Sequence, residues 1–298
     1  MPTARGRARA LALTVGPAVA YLCLFFLVPL GIVVWYSFST GTATGDIERT
    51  FTLENYRRAL DPLYLNVLAR SAWLALLTTA IALAVGYPAA WAIHGLERRW
   101  RPAALALVIL PSWMNLLVKN YAWIVILRRE GVLNTLLQAL GLIDQPLPLL
   151  FNPWAVLVGL VHTYLPFMIL PLYAALDRLD WSLVEAARDL GAGRWQTFRR
   201  VVLPQTLTGV LAGCTLVFIP ALGAFVTPDL LGGARSLMVA TLIENQVLQV
   251  RNWPFAAALS VWLMLLVLGA GMLYLRLVPA RRRGHTEARV GGGAAGLP

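Results

Sequence analysis

The chain has 298 residues, of which 59% are hydrophobic and only 13% charged, whereas soluble domains carry about 25% charged and 45–50% apolar residues. The apolar surplus is gathered into long runs, which points to lipid as the solvent. The net charge of +11 sits at the ends of those runs, with no basic face interleaved with aromatics, so it argues for cytoplasmic flanks of membrane spans and against a nucleic-acid partner.

The start, Arg5-Gly6-Arg7-Ala8-Arg9, precedes an apolar stretch that continues through Leu30 to Val34. That is longer than the 7–15-residue core of a signal peptide, so despite the Ala18-Val19-Ala20 triplet it reads as a retained first span. A helix needs about 20 mainly apolar residues to cross the hydrocarbon core. Six segments meet this: residues 11–36, 67–93, 102–127, 153–176, 205–227 and 255–278. Their backbone must be helical, because unpaired polar groups are not tolerated in lipid. The fold expected is therefore all-α, a polytopic membrane domain over residues 1–278, with a basic, Gly- and Ala-rich disordered tail at 279–298. The N-terminus, residues 94–101, residues 177–204 and the tail with Arg276 hold 16 Lys and Arg in all, against 7 in residues 37–66, 128–152 and 228–254. The richer side faces the cytoplasm, which puts both termini inside.

Within the third span, Pro111 and Asn115 threaten the helix, and Lys119 is a candidate cap for a broken end, or a side chain that snorkels outward. Pro166, Pro171, Pro220 and Pro228 suggest bending in the later spans. His162 lies in the middle of the fourth span with no carboxylate near it in sequence, which favours an interhelical hydrogen bond over a proton relay. Cys23 and Cys214 lie in apolar runs and imply neither a disulfide nor a metal.

The segment between the fourth and fifth spans carries the most information. It reads Trp181-Ser182-Leu183-Val184-Glu185-Ala186-Ala187-Arg188-Asp189-Leu190-Gly191, then Ala192-Gly193-Arg194-Trp195-Gln196-Thr197-Phe198-Arg199-Arg200, then Val201-Val202-Leu203-Pro204. Ser182 with Glu185 forms a capping box, and Gly191 and Gly193 break the helix. Trp195, Phe198, Val201 and Val202 then recur at helical spacing up to Pro204. Two short helices at an angle are expected on the cytoplasmic face, unless the loop simply lies on lipid headgroups, which Arg194, Arg199 and Arg200 would favour.

Glu185-Ala186-Ala187, three residues, Gly191, nine residues, Val201, one residue and Leu203-Pro204 together resemble the loop shared by permeases of ATP-binding-cassette importers. The resemblance implies that Glu185, Ala186, Ala187, Asp189, Gly191, Leu203 and Pro204 form a coupling helix that docks on an ATPase subunit. It also implies two ATPase subunits, a second homologous permease and an extracytoplasmic solute-binding protein as partners in the inner membrane. No phosphate-binding GxxxxGK[ST] loop is present in the sequence, so ATP hydrolysis is expected on another chain; the permease is not expected to be an enzyme, nor to need a cofactor or metal.

A narrower resemblance, to B-type permeases of spermidine/putrescine importers, spans about residues 50–275. It is carried by Leu110-Pro111-Ser112-Trp113-Met114-Asn115, by Lys119-Asn120-Tyr121-Ala122-Trp123 and by Leu222 through Phe255. It implies a polyamine as solute, and related permeases carry other small solutes. No Asp or Glu stands inside a span, so a polycation would have to be met by aromatic faces and by external carboxylates. Trp113, Lys119, Tyr121, Asp229 and Glu244 are the candidate path residues. A carrier driven by an ion gradient is the main rival, and it would require the intramembrane carboxylates that are missing. A membrane-embedded enzyme would require a metal or nucleophile motif such as HExxH or GxSxG, and the sequence has neither.

Overall fold

Apolar segments close their backbone hydrogen bonds internally, and this chain does so with helices almost throughout. The computed structural model describes residues 15–42, 47–48, 50–233 and 236–277; the expected tail lies outside them. Helix α1 (Val15–Ser37) contains a π-helical stretch at Cys23–Leu27. It leads into a small antiparallel pair, β1 (Thr40–Gly41) and β2 (Ile47–Glu48), with Thr40 opposite Glu48. This pair is the one departure from an all-helical fold among the described residues, and it lies between spans, where side chains such as Thr40 and Thr50 also bond to each other at 2.7 Å.

Then follow α2 (Glu54–Ala59), α3 (Pro62–Gly95), α4 (Arg101–Ile109, prolonged by a 3-10 turn Leu110–Trp113), α5 (Leu116–Leu127), α6 (Val132–Ala139), α7 (Pro153–Asp177) and α8 (Trp181–Asp189). The chain continues with α9 (Arg194–Leu222), α10 (Val226–Gly232), α11 (Val239–Leu248) and α12 (Trp253–Leu277). Five of these, α1, α3, α7, α9 and α12, are long and apolar enough to cross a membrane.

The third span, expected at 102–127 as one helix, is broken. Its two limbs, Arg101–Trp113 and Leu116–Ala139, meet at 91°. Pro111 lacks an amide donor, and Met114 and Asn115 adopt extended backbone with ψ of 143° and 137°. The second limb is capped by Asn115, whose side chain accepts from the Leu117 amide at 2.8 Å. Lys119 does not cap it; a lysine has no acceptor to offer the free amides at a helix start.

The fifth span also departs from its expected limits of 205–227. It begins at Arg194, passes through Pro204 without a stop, and ends at Leu222. A proline removes one intrahelical bond, and here the ladder is already widened into a π-helical stretch at Phe198–Val202. The Thr206 hydroxyl then donates to the Val202 and Leu203 carbonyls at 3.0 and 3.3 Å. Pro88, Pro166, Pro171 and Pro220 likewise lie inside continuous helices, while Pro228 falls in the short α10.

The centre of the fold is the contact of α3, α7 and α9. Ala82, Ala90, Met168, Leu172, Leu176 and Val217 are fully buried there. Small residues permit the approach: a Cβ on Gly209 would stand 2.5 Å from the Ala175 Cβ and 2.7 Å from the Pro171 carbonyl oxygen. Without an aqueous driving force between helices, close van der Waals packing of this kind holds a membrane bundle together. Helix α1 lies to one side, touching chiefly α12.

Gly209→Val should therefore lower stability by about 1–3 kcal/mol through overpacking. Gly269→Ala, where a Cβ meets nothing within 4 Å, should be neutral. Thermal denaturation of the two purified variants in detergent reads the difference.

Candidate functional site

Helix α8 is the segment singled out from the sequence. Its N-cap is Asp180, whose side chain accepts from the Ser182 amide at 3.1 Å and from the Ser182 hydroxyl at 2.7 Å. The expected Ser182–Glu185 capping box does not form. A carboxylate two residues before the free amides serves as the acceptor in its place, and its negative charge suits the helix start.

The C-terminal end follows the sequence closely. Gly191 has φ +83°, the left-handed conformation that disfavours a side chain. Its amide bonds to the Arg188 carbonyl at 2.8 Å, and the Ala192 amide to the Ala187 carbonyl at 3.0 Å. These two bonds make a Schellman turn. The chain reverses there and starts α9 at Arg194, so the expected second short helix is the first part of the fifth span.

The two ends of this loop are held by what they bury. In α8 only Val184 is buried, at 2% exposure, and Val202 at the base of α9 is 1% exposed. Both belong to the same apolar cluster as Ile93, Leu172 and Leu176 of the long helices. An aromatic group surrounds them. Phe198 packs edge-on to Tyr87 at 5.4 Å and lies 6.4 Å from Trp91, and Trp91 packs edge-on to Trp181 at 5.8 Å. The imidazole of His94 stacks on Trp181 at 5.1 Å. Tyr87 shares a 2.8 Å hydrogen bond with Thr206, and since that hydroxyl already donates to a carbonyl, Tyr87 is the donor.

The remaining loop surface faces outward. Glu185, Ala186, Asp189 and Pro204 are exposed, Ala187 and Leu203 half-buried. Leu190 and Trp195 are 88% and 69% exposed. Large apolar side chains held in the open beside charged ones, on a helix rooted in the core, form a surface suited to a protein partner.

The candidate path residues do not converge on one site. Trp113 and Tyr121 are exposed on opposite sides of the 91° break. Lys119, 8% exposed, has a buried neighbour in Asn120 on α5, which packs against α7 and α10. One turn on, the Trp123 indole donates to His162 Nδ1 at 3.3 Å, so His162 makes the interhelical bond expected of it. Asp229 is exposed on α10, and Glu244 is half-buried on the separate helix α11. No group of His, Cys, Asp and Glu suited to a metal occurs among the described residues.

Sequence reasoning missed the anchoring residues. Tyr87, Trp91 and His94 recur at helical spacing on one face near the C-terminal end of α3, which was the available signal. Asp177 and Arg101, which meet across α7 and α4 at 3.4 Å, had no local signal, because they lie 76 residues apart.

Comparison with known proteins gives a consistent picture. Residues 82–283 match the family described as binding-protein-dependent transport system inner membrane component. The spermidine/putrescine transport system permease protein PotB of Escherichia coli (strain K12) is 44% identical over 249 residues, covering 84% of this chain and 90% of that protein. PotB of Haemophilus influenzae is 42% identical over 264 residues, covering 89% and 92%. Among solved structures, a bacterial ABC transporter that imports the acidic polysaccharide alginate superposes with a TM-score of 0.74 over 91% of this chain and 97% of its own, at 18% identity. At that identity the likeness shows the fold.

The Schellman turn generates a direct test. Gly191→Val should cost about 1–2 kcal/mol by forcing a branched side chain into left-handed backbone, which speeds amide exchange at Ala192 roughly tenfold. Gly193→Ala, at φ −65°, should leave that exchange unchanged, and both variants should insert into the membrane normally.

Proposed function

The chain belongs to the family of inner-membrane permease components of binding-protein-dependent ABC importers, and from that premise we propose that it carries a polyamine, driven through α8 by a separate ATPase. The observation that carries the drive is the rooted, outward-facing loop: Val184 and Val202 are sunk in the helix core while Leu190, Trp195, Glu185 and Asp189 stand in the open. The extensive identity to permeases named for spermidine and putrescine supports the solute.

In mechanism, two ATPase subunits grip the loops of this permease and of a second, homologous one. Closure of the ATPases on ATP displaces α8 together with the start of α9. Because α9 is continuous from Arg194 to Leu222, that displacement is passed directly into a span. The bundle then shifts between inward-open and outward-open states, with nucleotide biasing a two-state equilibrium. An external binding protein delivers the solute. Both termini lie in the cytoplasm, and residues 1–278 form the permease domain. The permease makes and breaks no covalent bond.

Polyamine recognition would fall to Trp113, Tyr121, Asp229 and Glu244. Aromatic faces attract ammonium groups, and the two external carboxylates gather cations towards the mouth. Lys119 is a buried basic residue on α5, which would keep a polycation from resting beside that helix.

Two measurements test this reading. Leu190→Asp should leave the protein in the membrane yet abolish its co-purification with the ATPase, together with ATP-dependent uptake; retention of both would refute the docking surface. Radiolabelled spermidine uptake by the complete importer should be competed by putrescine and fall several-fold in Asp229→Ala and Glu244→Ala. Uptake of another solute unaffected by excess spermidine would overturn the polyamine assignment.

A further inference from the structure

Where α7 ends and the loop begins, three charged or polar groups from three helices converge. Asp177, the last residue of α7, lies 3.4 Å from the Arg101 guanidinium at the start of α4 and 3.7 Å from Nδ1 of His94 at the end of α3. Arg101 also donates through Nε to the Leu96 carbonyl at 3.1 Å, tying the end of α3 to the start of α4. Among the described residues this is the one set of ion pairs that joins separate spans, since Arg99 and Glu97 pair locally.

Two features single it out. First, both charges occupy the helix end that the macrodipole disfavours: a carboxylate at the C-terminus of α7 and a guanidinium at the N-terminus of α4. Each is compensated mainly by the other, so the pair is not explained by helix stability. Second, His94 Nδ1 is buried and makes no hydrogen bond, although it faces a carboxylate. A buried nitrogen left unpaired costs free energy, and a shift of roughly 0.5 Å would bring it into hydrogen-bond range of Asp177. The same imidazole stacks on Trp181, the first residue of α8, with the rings 8° from parallel. His94 therefore touches both sides of the short link, residues 178–180, through which any motion of α8 reaches α7.

We propose that Asp177 is a latch with two settings, held by Arg101 alone in one and by Arg101 and His94 together in the other, which makes the first limb of the broken span follow α8. In the setting seen here the Arg101 contact is made and the His94 bond is open. Displacement of α8 carries Trp181 with it, moves the stacked imidazole and closes the His94–Asp177 bond. The Asp177–Arg101 contact then transmits the shift to α4. Asp177, His94 and Arg101 are positioning residues: they touch neither nucleotide nor solute. The inference rests on the reading of α8 as the docking helix.

The test uses the complete importer in proteoliposomes. Spin labels at Arg188 on α8 and Leu107 on α4, both exposed, report their separation with and without ATP and vanadate. In the otherwise unchanged importer the separation should stay constant, because the two elements move together. In Asp177→Asn and in His94→Phe, which keeps the stacking ring, it should change on trapping. Spermidine carried per ATP hydrolysed should drop about tenfold, the loss of a coupling of about 1.4 kcal/mol. Asp177→Glu should restore both. Constant separation and an unchanged ratio in Asp177→Asn and His94→Phe would overturn the latch while leaving the docking reading intact. Failure of the ATPase to co-purify with the unlabelled importer would instead remove the docking reading itself.

Discussion

Two valines set the character of this molecule. Val184 in the loop between α7 and α9 and Val202 at the foot of α9 are buried in one apolar cluster with the long helices α3 and α7. Burying a side chain of this size is worth about 1.5–3 kcal/mol. That is enough to make the loop part of the bundle's packing, so a force applied to its outer surface is received by the core. A loop without such roots would bend under load and leave the spans where they were.

The aromatic group around the valines adds direction. Tyr87, Trp91 and His94 lie along one face of α3 and meet Phe198 of α9 and Trp181 of α8. Edge-on aromatic contacts keep preferred angles beyond what burial alone demands. Two spans, α3 and α9, and the short helix α8 are thus linked at one end of α3, while its other end packs among different residues: Leu74 forms a second cluster with Leu127, Val156, Leu160 and Leu231 of α10. A bundle with two clusters along its length can rearrange one while keeping the other.

The fold class, the six hydrophobic segments and the loop motif were legible in the sequence because each depends on local order. Hydrophobic length announces a span, and Gly191 marks the end of a helix because only a residue without a side chain is at ease at that φ. Other features depended on competition between neighbours. Ser182 was a sound candidate cap, but Asp180, two positions earlier, is the stronger acceptor beside free amides. Pro204 is an ordinary stop signal, yet the π-helical stretch before it and the Thr206 hydroxyl absorb its effect. The mutual contacts of Asp177, His94 and Arg101 were out of reach, since each comes from a different helix and no local pattern pairs them. The candidate path residues stayed scattered because they stand on separate helices, α4, α5, α10 and α11, which no local pattern relates.

The right-angled break in the third span also says which way the subunit is turned. At residues 110–116 the helical ladder is interrupted, and each new helix end leaves up to about four amides or carbonyls without an internal partner. Hydrocarbon offers such groups nothing to bond with. The elbow at Met114 and Asn115 must consequently look onto protein or water, and Trp113 beside it is exposed. That corner is therefore where the third span has to turn its backbone away from lipid.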